Sequence, residues 1–255
     1  MSIQGKTAIV TGAARGIGAG IVRALARQGA NVVFTYVSES SEPAATELVN
    51  EARALGVRAT CIRVDMATLD APSLLIAAAR EQLGADTIDI LVNNAGAGGS
   101  TMLEHVSVEE YERLMSINVR AVIFMTQAVL PHINRGGRIV NLSSILARGG
   151  FPTQTIYGAS KAAVEGLTRV WATELGHKYG VTVNAVNSGP VDTDMYRAAG
   201  PVHLARMEEQ NKKVPAAPRC GTESDVADIV VFLCEERSRW VTGDTICANG
   251  GMLYT

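Results

Sequence analysis

A glycine-rich turn near the start of the chain constrains the fold more than any other feature of the sequence. The β-branched run "KTAIVT" (6–11) predicts a strand, and the four-residue spacing of Ile17, Ile21 and Leu25 predicts an amphipathic helix. Between the two lie three glycines: Gly12, Gly16 and Gly18. A glycine turn that joins a strand to a helix lets backbone approach a pyrophosphate at the helix N-terminus. We therefore predict a dinucleotide site here, and a turn that only packs the helix is the alternative.

The alternation of strand and helix continues along the chain. Further strands are predicted at 31–36, 58–64, 88–94, 137–144, 181–187 and 245–248, and further helices at 42–55, 71–83, 107–133, 157–179 and 223–233. The strands are short apolar runs, which is typical of a parallel sheet buried between two helical layers. No linker or change of composition divides the 255 residues. The sequence therefore predicts an α/β protein, a single-domain doubly wound Rossmann fold over 1–255 with about seven strands and helices on both faces.

Two segments depart from this regular pattern. In the long helical run, Ser107 and Glu110 predict an N-terminal capping box, and Asn118 predicts a break. The segment 195–218 is mixed in character and bounded by prolines, which is typical of a mobile lid over a substrate. Three apolar residues in this lid favour a hydrophobic substrate: Val202, Leu204 and Met207.

Charge and composition exclude several classes of partner. The net charge is −2 and the sequence pI is about 6.1, so we expect no binding to nucleic acid or to an anionic membrane. We also expect no signal peptide and no membrane span, because the N-terminus runs directly into a strand and no long apolar run is seen. The four cysteines lie far apart, and so do the four histidines. We therefore expect a reduced, cytoplasmic protein without a metal site.

One candidate for acid–base chemistry lies in the segment "YGASK". Tyr157 and Lys161 are four residues apart in a predicted helix, so their side chains project from the same face. A surface pair is one interpretation of this spacing. The other is a general acid, in which the cation of Lys161 lowers the pKa of the Tyr157 phenol from its usual value of about 10 towards neutrality.

The end of the second predicted strand bears on the choice of dinucleotide. A carboxylate there would bind the ribose 2′-hydroxyl of NAD. The strand instead ends with Tyr36, followed by Val37 and Ser38, and the first carboxylate is Glu39. Arg15, inside the glycine turn, is the residue that we expect to pair with a 2′-phosphate. These residues favour NADPH over NADH, although Arg15 could also be a solvated loop cation.

Five motifs together resemble one protein family. "TGAARGIG", "NNAG" (93–96), "SIN" (116–118), "NLSS" (141–144) and "YGASK" occur in the order and at the spacing of the short-chain dehydrogenases/reductases. The resemblance extends from Gly5 to "ANGGM" (248–252). Within that family, "VVFTYVSESSE" and "YGASKAAVEG" are most similar to the fungal hydroxynaphthalene and versicolorin reductases, which reduce polyketide ketones with NADPH.

The resemblance implies a role for particular residues. Tyr157 matches the proton donor, Lys161 its partner, and Asn118 the asparagine of a proton relay through water. Ser144 matches the serine that binds the substrate oxygen, because it precedes Tyr157 by thirteen residues, whereas Ser143 does not. The predicted cofactor-binding residues are Gly12, Arg15, Gly16, Ile17, Gly18, Tyr36, Ser38, Asp65, Met66, Asn93, Ala95, Gly96, Tyr157, Lys161, Gly189, Val191 and Thr193. Among these, Asp65 matches the residue that contacts adenine, and Thr193 the residue near the carboxamide.

The function expected from this resemblance is NADPH-dependent reduction of a hydrophobic ketone, such as an aromatic ketone or one derived from a polyketide. Two alternatives stay open: an NAD-linked secondary alcohol dehydrogenase, and a non-catalytic dinucleotide sensor. The family also implies a homotetramer formed through the long helices on either side of Ser144. Three residues are candidates for the substrate pocket or for ordinary loop packing: Met102, Thr153 and Tyr196. Trp171 and Trp240 are interpreted as core or subunit contacts.

The sequence departs from the family pattern at one position. Ser188 stands where the family commonly has proline after the sixth strand, and Gly189 and Pro190 follow it. Since proline fixes the backbone there, its replacement predicts looser positioning of the nicotinamide or a more mobile loop.

Overall fold

A parallel sheet of seven strands forms the centre of the computed structural model, which describes residues 3–198 and 200–254, without the side chains of Val202, His203 and Arg206. The strand order is β3-β2-β1-β4-β5-β6-β7, and every neighbouring pair is parallel. The strands are β1 Thr7–Val10, β2 Asn31–Tyr36, β3 Ala59–Arg63, β4 Ile88–Asn93, β5 Ile133–Ser144, β6 Thr182–Ser188 and β7 Thr245–Ala248. The predicted fold class is confirmed.

Helices cover both faces of the sheet. They are α1 Gly16–Arg27, α2 Glu42–Ala54, α3 Ala71–Leu83, α4 Val108–Met115, α5 Ala121–Val129, α6 Thr155–Tyr179, α7 Asp194–Arg197, α8 Pro201–Asn211 and α9 Glu223–Cys234. One apolar core joins the sheet to α1, α2 and α9, and a second joins it to α3, α5 and α6. Ala8 and Val10 of β1 belong to the first core, whereas Ile9 belongs to the second. Successive strand residues point to opposite faces, so a strand buried on both sides must be apolar throughout.

Most element boundaries match the sequence-based prediction within two residues. The exceptions are β5, which begins at Ile133 instead of 137, and the segment 195–218, which contains α7 and α8. Ile133 pairs with Ile88 across an irregular register, in a polar stretch where no alternation of side chains indicates a strand. Leu204 and Met207 of α8 are partly buried, and Val202 lies outside the described side chains.

The break expected at Asn118 is present. α4 ends at Met115, a π-helical turn covers Ser116–Arg120, and α5 begins at Ala121. Such turns are often found at functional sites. The whole run Val108–His132 is the one stretch among the described residues with the length and mean hydropathy, 1.4, of a membrane span. Core helices pass the same test, and here α5 packs against α3, β4 and β5.

The capping box expected at Ser107 is only half formed. The Ser107 hydroxyl accepts from the backbone N–H of Glu110 at 3.2 Å, but the Glu110 carboxylate instead accepts from the Thr101 hydroxyl at 2.9 Å. That second bond ties α4 to the loop after β4. The reciprocal motif occurs at α9, where Thr222 and Asp225 each bind the other's backbone N–H.

Candidate active site

A cleft of about 690 Å³ opens at the carboxyl ends of the central strands. The strand order reverses there, between β1 and β4, which is where doubly wound sheets bind their ligands. Thirteen of the predicted cofactor residues line the cleft: Gly12, Arg15, Gly16, Ile17, Gly18, Tyr36, Asp65, Met66, Ala95, Gly96, Tyr157, Lys161 and Thr193. Residues far apart in sequence therefore meet in one elongated cleft.

The glycine turn has the backbone that a phosphate cradle needs. Gly12 and Gly16 adopt φ values of +65° and +60°, a region that favours glycine. A side chain at Gly12 would place its Cβ 2.8 Å from the Cα of Ala95. The Gly12 N–H donates to the Thr35 hydroxyl at 2.8 Å, and the Asn94 amide donates to the Gly12 carbonyl at 2.8 Å. The turn is thus held from β2 and β4, and the N-terminus of α1 opens into the cleft beside it.

Arg15, at the N-cap of α1, makes a contact that the sequence did not indicate. Its guanidinium lies 3.5 Å from the carboxylate of Asp194, the first residue of α7, and both side chains are exposed. Its side chain makes no capping hydrogen bond. The expected partner, a 2′-phosphate beside Tyr36, is therefore in competition with an acidic residue of the lid.

Four predicted cofactor residues do not line the cleft: Ser38, Asn93, Gly189 and Val191. The Asn93 amide is buried and donates to Asn141 at 2.8 Å and Thr126 at 3.0 Å, so it supports the core instead. The hydroxyl of Ser38 binds that of Ser41 at 2.6 Å, and Ser41 lines the cleft. Sequence reasoning missed Asn94, although it adjoins Asn93 in the "NNAG" motif.

Val191 and Gly189 lie behind the cleft wall. Val191 is buried in the core that contains α9, and a Cβ at Gly189 would lie 3.1 Å from the Cβ of Asn249. Ser188 continues β6, paired with Ser144 on one side and Ala248 on the other. Ser188 is therefore the last paired residue of β6, and the looser nicotinamide positioning expected from it stays a prediction.

Of the four predicted catalytic residues, Tyr157 and Lys161 line the cleft, whereas Ser144 and Asn118 are buried and do not line it. Tyr157 and Lys161 project from the first turns of α6, with the Lys161 ammonium 5.8 Å from the centre of the Tyr157 ring. The hydroxyl of Ser144, the last residue of β5, lies close enough to the Tyr157 hydroxyl to lower the pKa of the phenol. Lys161 is 5% exposed, and its ammonium donates to the Leu142 carbonyl at 2.8 Å. The adjacent Ser143 also lines the cleft, but its hydroxyl donates to Glu165 of α6 at 2.8 Å.

Asn118 connects this end of the cleft to the loop after β4. Its side chain is fully buried, accepts from the Ala97 N–H at 2.9 Å and donates to the Ser160 hydroxyl at 3.0 Å. A Cβ at Gly96 would lie 3.2 Å from the Asn118 oxygen and 3.5 Å from the Lys161 ammonium. A larger residue at this position would therefore crowd both groups from the side of the cleft.

Burial controls the pKa values of the acid–base pair. It raises the pKa of Tyr157, an effect that the hydrogen bond from Ser144 opposes. Burial also lowers the pKa of Lys161 to about 8. In the chain without its cofactor, burial thus outweighs any lowering of the Tyr157 pKa, and the expectation that Lys161 and the oxidised nicotinamide together bring it towards neutrality stays a prediction. The phenol stays protonated at neutral pH, and the lysine is the group that titrates near it.

The three residues considered for the substrate pocket do not line the cleft, although the first residue of the lid does. Met195 lines the cleft, whereas Met102, Thr153 and Tyr196 do not. Thr153 has a φ of +71° and its carbonyl accepts from the Thr101 N–H at 2.9 Å, which joins two loops beside the site. The Tyr196 hydroxyl accepts from the Asn211 amide at 3.1 Å and ties α7 to α8.

The two tryptophans lie in different environments. Trp171 packs against the second core, whereas Trp240 is 95% exposed and is not a core residue. Within residues 3–198 and 200–254, no cluster of three His, Cys, Asp or Glu side chains is arranged to hold a metal ion.

Comparison with known proteins agrees with this geometry. The family model described as enoyl-(acyl carrier protein) reductase matches residues 12–253. The short-chain dehydrogenase/reductase FrzI of Cladobotryum sp is 47% identical over 99% of this chain and 97% of its own length. The hydroxynaphthalene reductase-like protein Arp2 of Metarhizium anisopliae is 40% identical over 98% and 96%.

The fold of this chain is also similar to that of a solved structure. A blue fluorescent protein from a metagenomic library, crystallised in complex with NADPH, has a TM-score of 0.92 and 44% identity, and the match covers 100% of both chains. The chain therefore belongs to the short-chain dehydrogenase/reductase family, and it is an oxidoreductase of that family. The resemblance stated from the motifs is confirmed.

Proposed function

We propose that the protein is an NADPH-dependent carbonyl reductase that acts on a hydrophobic ketone, with Tyr157 as the proton donor. The observation that carries the proposal is the contact between Tyr157, Ser144 and Lys161 at the end of a cleft that begins at the glycine turn. Membership of the family supports it, and so does the similarity to a relative named as hydroxynaphthalene reductase-like. The structural neighbour was crystallised with NADPH, which supports the choice of cofactor. Met195, which lines the cleft, supports an apolar substrate.

The residues of the cleft fit a dinucleotide phosphate. The glycine turn and the start of α1 are suited to hold the pyrophosphate, Asp65 and Met66 lie where β3 ends, and Arg15 is the cation available to a 2′-phosphate. When bound, NADPH supplies the hydride that reduces the carbonyl carbon. The chain supplies position and acid–base chemistry.

The proton is delivered by the three residues at the end of the cleft. The Ser144 hydroxyl donates a hydrogen bond to the ketone oxygen and holds it beside the Tyr157 phenol. Tyr157 transfers its proton to that oxygen as negative charge develops there. The buried Lys161 ammonium then stabilises the phenolate that is left behind, and Asn118 holds the loop at which the relay to solvent begins.

A panel of ketones tests the proposed function. Oxidation of NADPH, and separately of NADH, is followed by absorbance with aliphatic ketones, β-keto esters and bicyclic quinone-like polyketides. We expect rapid loss of NADPH with the bicyclic compounds. Binding of NADPH without turnover on any ketone would favour the sensor hypothesis, and turnover only of secondary alcohols with NAD would favour the dehydrogenase.

The contact between Arg15 and Asp194 is the one observation that favours the NAD-linked alternative, and it yields a prediction. If Arg15 binds the 2′-phosphate, Arg15→Ala raises KM for NADPH about 10-fold and leaves KM for NADH within about twofold. Asp194→Asn releases Arg15 and is expected to lower KM for NADPH by about two- to fivefold. Steady-state kinetics with both cofactors measures this. Equal effects of Arg15→Ala on the two cofactors would assign Arg15 to the pyrophosphate or to the lid.

The lowered pKa of Lys161 predicts the pH dependence of reduction. If the ammonium form is required, kcat falls as the pH rises through about 8, and Lys161→Met lowers kcat and removes this limb. The folded-state pKa lies below the unfolded value of 10.5, so burial of the charged lysine destabilises the fold below about pH 8, and this penalty is relieved as the pH rises from about 8 to 10.5. A loss of activity in this pH range therefore cannot be explained by unfolding that results from the titration of Lys161. A flat profile from pH 7 to 9.5 contradicts the role.

We also propose that the protein acts as a homotetramer in the cytoplasm. Phe124 of α5 and Val170 of α6 are large apolar residues exposed at the surface, on the helices that flank Ser144. Such exposure supports an interface between copies of the chain. The four free cysteines support a reducing compartment. Light scattering on the purified protein measures the assembly.

A further inference from the structure

A buried carboxylate lies directly behind the catalytic end of the cleft, and the mechanism above does not use it. Glu165 is 4% exposed and belongs to α6, one turn beyond Lys161. Its carboxyl group accepts from the Ser143 hydroxyl at 2.8 Å, the Asn187 amide at 2.9 Å and the Arg148 guanidinium at 2.7 Å. All three partners are donors, so the group acts only as an acceptor, which is the bonding pattern of an ionised carboxylate.

These three partners come from the segments that surround Ser144. Ser143 precedes it on β5, Asn187 pairs with Ser143 from β6, and Arg148 follows the short turn after it. Asn187 also donates to the backbone carbonyl of Ser144 at 2.8 Å. Glu165 therefore connects the helix that carries Tyr157 to the strand ends that carry Ser144.

The orientation of Asn187 shows how strongly this arrangement is specified. Its amide group gives hydrogen bonds to Ser144 and to Glu165, while its own oxygen is buried and has no hydrogen-bond partner among the described residues. An unsatisfied buried acceptor is unfavourable, and buried polar groups are normally paired. The free energy of the two donated bonds thus outweighs the cost of the unpaired oxygen. Such a balance is expected where the position of one backbone group, here that of Ser144, matters.

We infer that Glu165 is a positioning residue for Ser144, and that it sets the distance between the Ser144 hydroxyl and the Tyr157 phenol. This inference rests on the proposed ketone reduction, in which Ser144 orients the substrate oxygen. Glu165 acts through Ser144 and touches neither substrate nor cofactor. In a variant that lacks the Ser144 hydroxyl, removal of the Glu165 carboxylate is therefore expected to have little further effect on kcat.

A double-mutant cycle tests this dependence. Glu165→Gln keeps the shape of the side chain but replaces one acceptor oxygen by an NH₂ group. Because Ser143, Asn187 and Arg148 are all donors, at least one hydrogen bond is lost. We expect kcat to fall about 10- to 100-fold with KM for NADPH unchanged, because a displacement of about 1 Å in a site has an effect of this size. In the Ser144→Ala background the same change is expected to lower kcat by less than about threefold. An equal loss in both backgrounds, or no loss in the first, overturns the inference.

Asp89 provides a matched control. It is also buried and accepts from three donors, Lys6 at 3.0 Å, the Thr7 N–H at 2.8 Å and Asn134 at 2.9 Å, but it lies near the amino end of β4, away from the cleft. Asp89→Asn is expected to lower the melting temperature and to leave kcat within about twofold. If Glu165→Gln does not fold, Ser143→Ala removes a single bond of the same group and takes its place in the cycle.

A spectroscopic measurement separates this inference from the proposed function. The hydrogen bond from Ser144 lowers the Tyr157 pKa, so a displaced Ser144 raises it. We expect Glu165→Gln and Ser144→Ala to shift the Tyr157 pKa upwards, and Asp89→Asn to leave it unchanged, as measured by NMR with ¹³C-labelled tyrosine and Tyr157→Phe for assignment. An unshifted Tyr157 in Glu165→Gln overturns the inference even if no ketone is reduced. A wild-type protein without turnover but with the expected shifts overturns only the proposed function.

Discussion

Replacing Tyr157 by Phe is expected to reduce turnover of the best ketone by at least about 10³-fold and to leave Kd for NADPH within about twofold. The large loss follows because the ring stays in place while the acidic proton is removed, and general acid catalysis contributes about 10² to 10⁴. NADPH binding is preserved because the glycine turn is held by Thr35 and Asn94, which do not touch α6. Initial rates and a fluorescence titration with NADPH measure the two quantities.

Tyr179 supplies the matched control for this substitution. It belongs to the same helix, and the ammonium of Lys178 lies 5.3 Å from the centre of its ring, but it is at the far end of α6 from the cleft. Tyr179→Phe is expected to change kcat by less than about twofold. If Tyr157→Phe turned over the ketone at a near-normal rate, the phenol would not be the proton donor.

The parts of the fold that sequence predicted are those with a local signal. The bounds predicted for α3 are correct, and the asparagine in the middle of the long helical run marked the π-helical turn. The helix α8 was missed because its composition is mixed. Its start did carry a signal, Gly200 with a φ of +86° followed by Pro201 at the first helical position.

The residues of the site that have a local signal in the sequence were predicted, and those that depend on contacts between distant segments were not. The interval to Tyr157 distinguished Ser144 from Ser143, and the structure places the first beside the phenol and turns the second towards Glu165. The roles of Glu165 and Asn187 depend on contacts between α6, β5 and β6, and no spacing along the chain shows them. The effect of burial on the Tyr157 pKa could not be predicted, because spacing indicates its neighbour but does not indicate its burial.

Gly12→Ala is expected to produce the second large effect, on both stability and cofactor binding. The left-handed backbone of Gly12, with φ +65°, disfavours any side chain by about 1–2 kcal/mol. In addition, the new Cβ would lie 2.8 Å from the Cα of Ala95, a backbone atom that has no rotamer by which to move away. We therefore expect the free energy of unfolding to fall by about 2–4 kcal/mol.

The loss of binding follows from the direction in which the turn must move. Ala95 belongs to the loop after β4 and the glycine turn follows β1, so a clash between them widens the cleft where the pyrophosphate is expected to lie. A shift of about 1 Å in this backbone is expected to raise Kd for NADPH by about 100-fold or more. Urea unfolding without cofactor and a fluorescence titration measure the two effects.

Gly56 separates the clash from the backbone conformation. Its φ is +83°, yet a Cβ built there has no atom within 4 Å. Gly56→Ala is therefore expected to lower the free energy of unfolding by only about 1–2 kcal/mol and to leave NADPH binding unchanged. If the two substitutions had the same effect on stability and neither weakened NADPH binding, the close approach of Gly12 to Ala95 would not be what forms the phosphate cradle.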